Sequence, residues 1–473
     1  MRYDILCGQW QEHAEQRHAD LFADEIRTFL PPAEVSRNPA LNYHSQLAIV
    51  YDETPTVSAV VDGEDIDADD LGAIVTDELW QVDQQNGLLT SGCNEALIRL
   101  DVDPVADPDH VHYRCVPAHR VEAWADPSDP SNPWRIRELR PRTDPATGLE
   151  EWTWEEWDVS TPTPTFRITA QDSTGHAVDV TAKYATGTEY PYIDPDGAAI
   201  FPYILYHRQH TRQLWSPFTG SELFSGTLTV SALWTLWLSG VRDGAHPLRV
   251  VLNGSVVGGK VVKQLGGGGG SSPIEQAVVN PMALLQIHDV KQGQSASIGQ
   301  WQPAMDPKSA AESIESYEAG LGTYAGVSPA DLSHGSASAS GYSIIVSRDG
   351  QRKAVQRMIP GRRAGDTRLL ATAARMANGH LGTALPTSPA AYSIQYRSLP
   401  ETTEERAVKL AEAKELLALK LMSKVEAYML FHPGVKEDAA EAALAKIAAP
   451  MATEPAAVSA DTTTPEPDPS PES

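Results

Sequence analysis

Nineteen consecutive residues, Leu223 to Val241, carry no charge. That length approaches what a helix needs to cross a bilayer, so the run is either a membrane span or a helix enclosed by protein. Its composition decides between them. Ser225, Gly226, Thr227, Thr229, Ser231, Thr235, Ser239 and Gly240 interrupt it, and a lipid-facing helix with so many hydroxyls inserts poorly. The run reads as a helix packed against neighbouring helices, its small residues allowing near approach. Thr219 and Glu222 form a capping box before it, and Pro247 lies beyond its expected end near Gly244. A second helix is signalled by Asp306 and Pro307, an N-cap followed by proline at the first helical position. Ala310, Ile314, Tyr317, Leu321 and Tyr324 then give it one apolar stripe.

Between the two helices, residues 248–303 read as short strands around Leu248–Leu252 and Ala283–Ile287, with Gly266–Gly270 as a flexible loop. After the second helix comes a small, polar stretch, Ser333 to Gly341, and then a basic helical segment kinked or broken at Pro360 and Gly361. Between residues 345 and 375, Arg348, Arg352, Lys353, Arg357, Arg362, Arg363, Arg368 and Arg375 face only Asp349 and Asp366, a local net of 8 − 2 = +6. Such a run is a solvated helix, a partner for acidic residues of a neighbouring subunit, or a phosphate-contacting surface.

The rest of the chain divides by period. Residues 1–100 read as helical segments broken by an acidic insert; residues 51–110 hold sixteen acids against one base, Arg99. From 110 to 210 the period falls to two: His110, His112 and Arg114 alternate with Val111, Tyr113 and Cys115. The residues from Trp134 to Leu139 and from Trp152 to Trp157 flank Asp144–Gly148 as a hairpin. Near the end, Tyr392–Arg397 reads as a strand, Thr402 and Glu405 as a capping box, and Leu410, Ala413, Leu417, Leu421 and Val425 as one helical face. An Ala-rich helix is expected over Val435–Ala449, and Thr453–Ser473, rich in Pro, Thr and acids, is expected to be disordered.

With 473 residues the chain can build two or three domain-sized cores. Its 37 basic and 63 acidic residues give a net charge of −26, which argues against a surface that grips phosphate throughout. Three cysteines, Cys7, Cys93 and Cys115, without CxxC spacing indicate neither a disulfide framework nor a zinc knuckle. The first residues lack the apolar core of a signal peptide, so a soluble protein made in the cytoplasm is expected.

No motif for catalysis survives scrutiny. Gly254 to Lys260 matches seven P-loop positions, but Val261 stands where a magnesium-holding hydroxyl belongs and no helix follows. His110 and His112 share a strand face with Cys115 and His119 nearby, yet Pro117 redirects the chain and a zinc site needs convergent ligands; they read as surface histidines. Glu155 and Glu156, between Trp154 and Trp157, are adjacent and point to opposite strand faces, so they cannot flank one glycosidic bond.

The order of these features resembles the portal proteins of tailed bacteriophages. Tyr190–Gly197 with Phe201–Ile204 and Phe218–Leu223, then Gly326–Pro329 with Ser340–Tyr342, then Tyr392–Tyr396 with Leu399 and Pro400, are similar to successive passages of that family. The resemblance spans about residues 1–450 and implies an α+β portal fold assembled as a ring. It assigns a wing to 1–215, stem helices to 216–245 and 306–326, a β-rich clip to 246–305 and a tunnel loop to 327–342. A long kinked basic helix and return strand follow at 343–398, a crown at 399–450 and an acidic tail at 451–473.

The function implied is a conduit with no enzymatic activity, cofactor or metal. Rings in that family, implied here to hold twelve copies, pass double-stranded DNA during packaging and ejection; the other implied partners are the terminase large subunit, a head–tail adaptor, the major capsid protein and scaffold, with no membrane. The implied location is the capsid vertex of the virion, and the host cytoplasm during assembly. The tunnel loop would bring Ser333, His334, Gly335, Ser336, Ser338, Ser340 and Gly341 to the DNA, with Arg348, Arg352, Lys353 and Arg357 as phosphate contacts. Leu228, Leu233, Trp237, Ile314, Tyr317 and Leu321 would pack between subunits. The competing reading is a β-rich hydrolase or carbohydrate-binding protein with helical appendages, which predicts a pocket near Trp152–Trp157.

Overall fold

The computed structural model describes residues 1–27, 30–51, 54–61, 64–66, 69–172, 174–185, 189–209, 211–216, 221–245, 248–252, 255–257, 260–263, 275–278, 286–288, 297–301, 306–325, 341–396, 403–431 and 437–448. The chain is α+β and forms two units, Met1–Leu399 and Pro400–Ser473.

The first unit opens with helices α1 (Arg2–Leu6), α2 (Gln11–Leu21), α3 (Asp24–Arg27), α4 (Pro39–Ala48) and α5 (Asp77–Cys93). Two of their starts are written locally. Asn38 caps α4 by accepting from the Leu41 amide at 3.0 Å, with Pro39 at the first helical position. Thr76 caps α5 through the Leu79 amide at 3.2 Å.

The acidic insert between α4 and α5 contains strands β1 (Thr56–Val61) and β2 (Glu64–Asp65). The next strand, β3 (Glu95–Asp103), begins inside the stretch read from sequence as helical. Its first six residues are all buried, so no polar–apolar alternation marks it. It pairs with β4 (Asp107–Pro117), where the period-two pattern is plain, and on its other edge with β10 (Tyr203–His207).

This three-stranded sheet is covered on both faces. Ala96, Ile98 and Tyr206 point toward helices; Arg99 and Tyr203, opposite each other in the register, point toward a five-stranded antiparallel sheet. That second sheet runs β5 (Val121–Ala125), β6 (Pro133–Thr143), β7 (Glu150–Asp158), β8 (Thr165–Gln171) and β9 (Ala177–Asp179), a simple meander. Asp144 accepts from the Ala146 amide to shape the β6–β7 turn. A short helix, α6 (Thr181–Tyr184), follows β9.

Next come the long helix α7 (Ser221–Ala245) and its partner α8 (Pro307–Ala325). Between them, three antiparallel ladders nest one inside the next. β11 (Leu248–Leu252) pairs with β16 (Ser297–Trp301), β12 (Ser255–Val257) with β15 (Gln286–His288), and β13 (Lys260–Lys263) with β14 (Glu275–Val278). The segment is therefore one doubled-back arm whose base lies at the ends of α7 and α8. Gly266–Gly270 lies outside the described residues. Lys260 and Val261, the end of the P-loop-like stretch, sit in strand β13.

Helix α9 (Gly341–His380) continues through Pro360 as one helix of 40 residues, so the chain is not broken there. It lies against β10 because Gly365 offers no side chain: a Cβ there would stand 2.3 Å from the Tyr206 ring. Strand β17 (Tyr392–Gln395) then returns to pair with β1, joining positions more than three hundred residues apart. The second unit contains α10 (Thr403–Ala418), α11 (Lys424–Phe431) and α12 (Glu437–Ala448) among the described residues; residues 449–473 lie outside them.

Candidate functional site

The uncharged helix α7 owes its surroundings to its hydroxyls. Thr227, Ser231, Thr235 and Ser239 recur every four residues and are buried as one stripe. Thr227 Oγ1 accepts from the Ala40 amide at 3.1 Å while donating back to the Leu223 carbonyl. Thr235 Oγ1 accepts from the Glu34 amide at 2.9 Å and donates to the Ser231 carbonyl. The stripe thus satisfies backbone groups of the N-terminal segment, which an aliphatic helix could not do.

A second face of α7 meets α8. Val230, Trp234 and Ile314 form a small core with Leu233, Trp237, Ala311 and Leu321 around it. Trp237 donates to the Pro307 carbonyl at 2.8 Å, Trp234 donates to Glu318, and the Arg37 guanidinium lies 4.0 Å above the Trp234 ring. Gly226 permits the approach, since a Cβ there would stand 2.5 Å from Leu321.

These contacts revise the subunit-packing expectation. Leu228 and Ile314 are already buried within one chain, and Leu233, Trp237 and Leu321 are half-buried there. Only Tyr317, 41% exposed, remains open among the six. The apolar side chains that α7 leaves uncovered are Leu236 and Leu238, each 37% exposed. Sequence reasoning passed over them because a nearly uniform apolar run hides which face is open; subtracting the hydroxyl stripe exposes Leu236.

Helix α9 divides its cations. Arg362, only 4% exposed, donates to the Gly87 carbonyl at 2.8 Å. Arg368 bonds Asn132 and the backbone of β10, and Arg375 pairs with Asp194 at 2.7 Å. Arg363 lies over the Tyr396 ring. These residues hold the helix to its own unit, so the local +6 counted from sequence is not a free basic surface. In the first half of the helix Arg357 and Lys353 are exposed and Arg352 is half-buried. Only the backbone is described at Arg348. Gly341, expected in the loop, is the first residue of α9, whereas Ser333, His334, Gly335, Ser336, Ser338 and Ser340 lie outside the described residues.

One anchor of α9 escaped sequence reasoning. Asp366, 1% exposed, accepts hydroxyl hydrogen bonds from Tyr51 and Tyr206, both at 2.9 Å, and from Tyr396. Its only signal in the sequence is an isolated acid within a basic run.

The tryptophan-rich hairpin offers no cleft with paired acids. Glu155 is fully buried among Arg99, Arg140 and Arg142, while Glu156 pairs with Arg135 on the opposite face. Arginines lie over the Trp124, Trp152 and Trp154 rings. Glu138 completes the buried network, accepting two bonds from Arg114 and one from Tyr203. Burial raises the pKa of Glu138 and Glu155, but the surrounding guanidiniums outweigh it and hold both below the ordinary carboxylate value. Burial pushes the Cys93 and Cys115 thiols up, to about 11 and about 12, so neither is a ready nucleophile.

His110 bonds Asp107 and His112 bonds Glu78, both at the surface. Among the described residues no group of three or more His, Cys, Asp or Glu could hold a metal, and no helix is long and apolar enough to cross a membrane.

No family model matches this chain, and no curated protein matches it. Solved structures that resemble it include the neck of an empty GTA (gene transfer agent) particle computed with C6 symmetry. That match has 11% sequence identity and a TM-score of 0.41, covering 83% of this chain and 89% of the other.

Proposed function

We propose that this chain is the subunit of a portal ring, the channel at one capsid vertex through which a tailed phage packages and ejects double-stranded DNA. The observation that carries the reading is the sequence of elements from α7 to α9: two packed helices, a nested β arm between them, then a 40-residue helix bolted to an α+β body. In this reading α7 and α8 form the stem, the arm is the clip where a terminase motor and later a head–tail adaptor dock, and residues 327–340 approach the DNA. The body is the wing and α10–α12 belong to the crown.

The chemistry is physical. A net charge of −26 repels a polyanion in transit, and Arg352, Lys353 and Arg357 supply transient phosphate contacts on α9. Head-to-tail contacts that close by rotation generate a ring, and Leu236, Leu238 and Tyr317 are the apolar groups of the stem left for a neighbour. The protein performs no bond-making step; the energy for packaging comes from the motor.

The test is particle mass with negative-stain imaging of the purified full chain, with and without scaffold and capsid protein. Rings near twelve copies with a central channel are expected. A monomer or dimer under all these conditions overturns the reading.

A further inference from the structure

Helix α5 carries Asp83, Asn86 and Thr90 at spacings of three and four residues, which sets them on one face. All three are no more than 1% exposed. Yet both carboxyl oxygens of Asp83, both amide atoms of Asn86 and the Thr90 hydroxyl have no hydrogen-bond partner. The same is true of Nη1 of Arg362, on the guanidinium whose Nη2 donates to the Gly87 carbonyl of this helix at 2.8 Å. Buried polar atoms are nearly always paired, and six unpaired ones on the α5 face and the arginine it binds call for a common partner. Internal water is the partner with the right valence: each molecule can both donate and accept, and typically bridges about three such groups.

We propose that ordered water between α5 and α9 bridges Asp83, Asn86, Thr90 and Arg362, and that Asp83 joins this network as a neutral carboxylic acid. A neutral acid fits the charge balance. Burial raises the pKa of Asp366 as well, but its three hydroxyl donors, from Tyr396, Tyr206 and Tyr51, and the Arg362 guanidinium all oppose that rise. Asp366 is therefore the better held of the two acids as an anion, and Arg362 balances that one charge. Two ionised carboxylates would leave an unbalanced negative charge in the core. Burial is the largest effect raising the Asp83 pKa, the Asp366 charge adds to it, and Arg362 opposes it without pairing. The other groups facing Asp83 are Tyr51, Tyr113 and Cys115 of β4, Tyr206 of β10, and Tyr396. None is a cation. The site is independent of the portal reading: it concerns how α9 is fixed to the body, whatever the assembly does.

The experiment uses the full chain. A high-resolution map should show water density within hydrogen-bond distance of Asp83, Asn86, Thr90 and Arg362; a dry gap there overturns the proposal. Asp83→Asn, a neutral isostere, should keep the melting temperature within about 2 °C at pH 5, because little charge is lost. An ionised Asp83 held by Arg362 predicts instead a large fall. A raised acid pKa in the folded state means that wild type loses stability as pH climbs above the unfolded value, so wild type should fall behind D83N between pH 5 and 8. A constant difference across that range overturns the neutral acid. Melting should be equal in potassium, sodium and choline chloride at one ionic strength. A rise specific to one metal cation assigns the space to that ion and overturns the water network.

Discussion

Arg99 on β3 and Glu155 on β7 meet with Nη1 2.5 Å from Oε1, the two side chains 6% and 0% exposed. The pair joins the two sheets of the body, and Trp157 closes it by donating Nε1 to Glu155 at 2.8 Å. Removing one partner of such a pair strands the other charge in the core, at a cost of about 3–5 kcal/mol. Glu155→Gln should therefore lower unfolding free energy by about 3 kcal/mol, since Glu138 and Asp101 still reach Arg99. Equilibrium urea unfolding measures it; an effect below about 1 kcal/mol would refute the pairing.

The same network sets an acid limit. Glu138 and Glu155 have pKa values below their unfolded value of 4.5. The stability they contribute is present above that value and is lost as pH falls through their folded values. Thermal melting from pH 6 to 3 should drop most steeply below about 4.5, and Glu155→Gln should flatten that slope.

On the stem, Gly226→Val would drive a branched side chain into Leu321, where even a Cβ stands 2.5 Å away. Overpacking of this kind typically costs about 1–3 kcal/mol. Calorimetry should show a lower melting temperature, and an added Leu321→Ala should recover part of it by removing the clashing group.

Thr227 and Thr235 make a subtler prediction. Valine at either position keeps the shape of the α7 stripe but leaves the Ala40 or Glu34 amide without its acceptor. Each substitution should destabilise by about 1–3 kcal/mol, with faster exchange of the matching amide. Ser225→Ala, on the exposed side, should change neither quantity.

The cations of α9 should separate by role. Arg357→Glu should leave the melting temperature within about 2 °C, as surface changes do; on the portal function proposed above, it should also reduce the DNA filling of capsids assembled with the variant. Arg375→Ala removes the bond to Asp194 and should lower the melting temperature of the isolated chain. A drop of equal size for both variants would contradict the division.

Elements with a local signature were readable before folding. Asp306 and Pro307 mark the start of α8, the β6–β7 hairpin announces itself through Asp144 and Gly148, and β4 alternates from His110 to Cys115. Strand β3 did not, because burial on both faces erases the period that distinguishes a strand from a helix. Nor did the pairing of β1 with β17, since neither strand carries any mark of a partner so distant in sequence. For the candidate site, the basic character of α9 was legible but its use was not: Arg357 and Arg375 look alike until Asp194 is placed beside one of them.

The sequence by itself determined the periods, the caps, the uncharged helix with its hydroxyls, and the excess of acid over base. These follow from nearest neighbours along the chain. Which cations remain free, which apolar side chains stay exposed and which carboxylates share the core were decided only by tertiary structure. Burial and pairing depend on groups brought together from far apart, and in a low-dielectric interior a partner a few ångströms away outweighs anything its own neighbours in sequence supply.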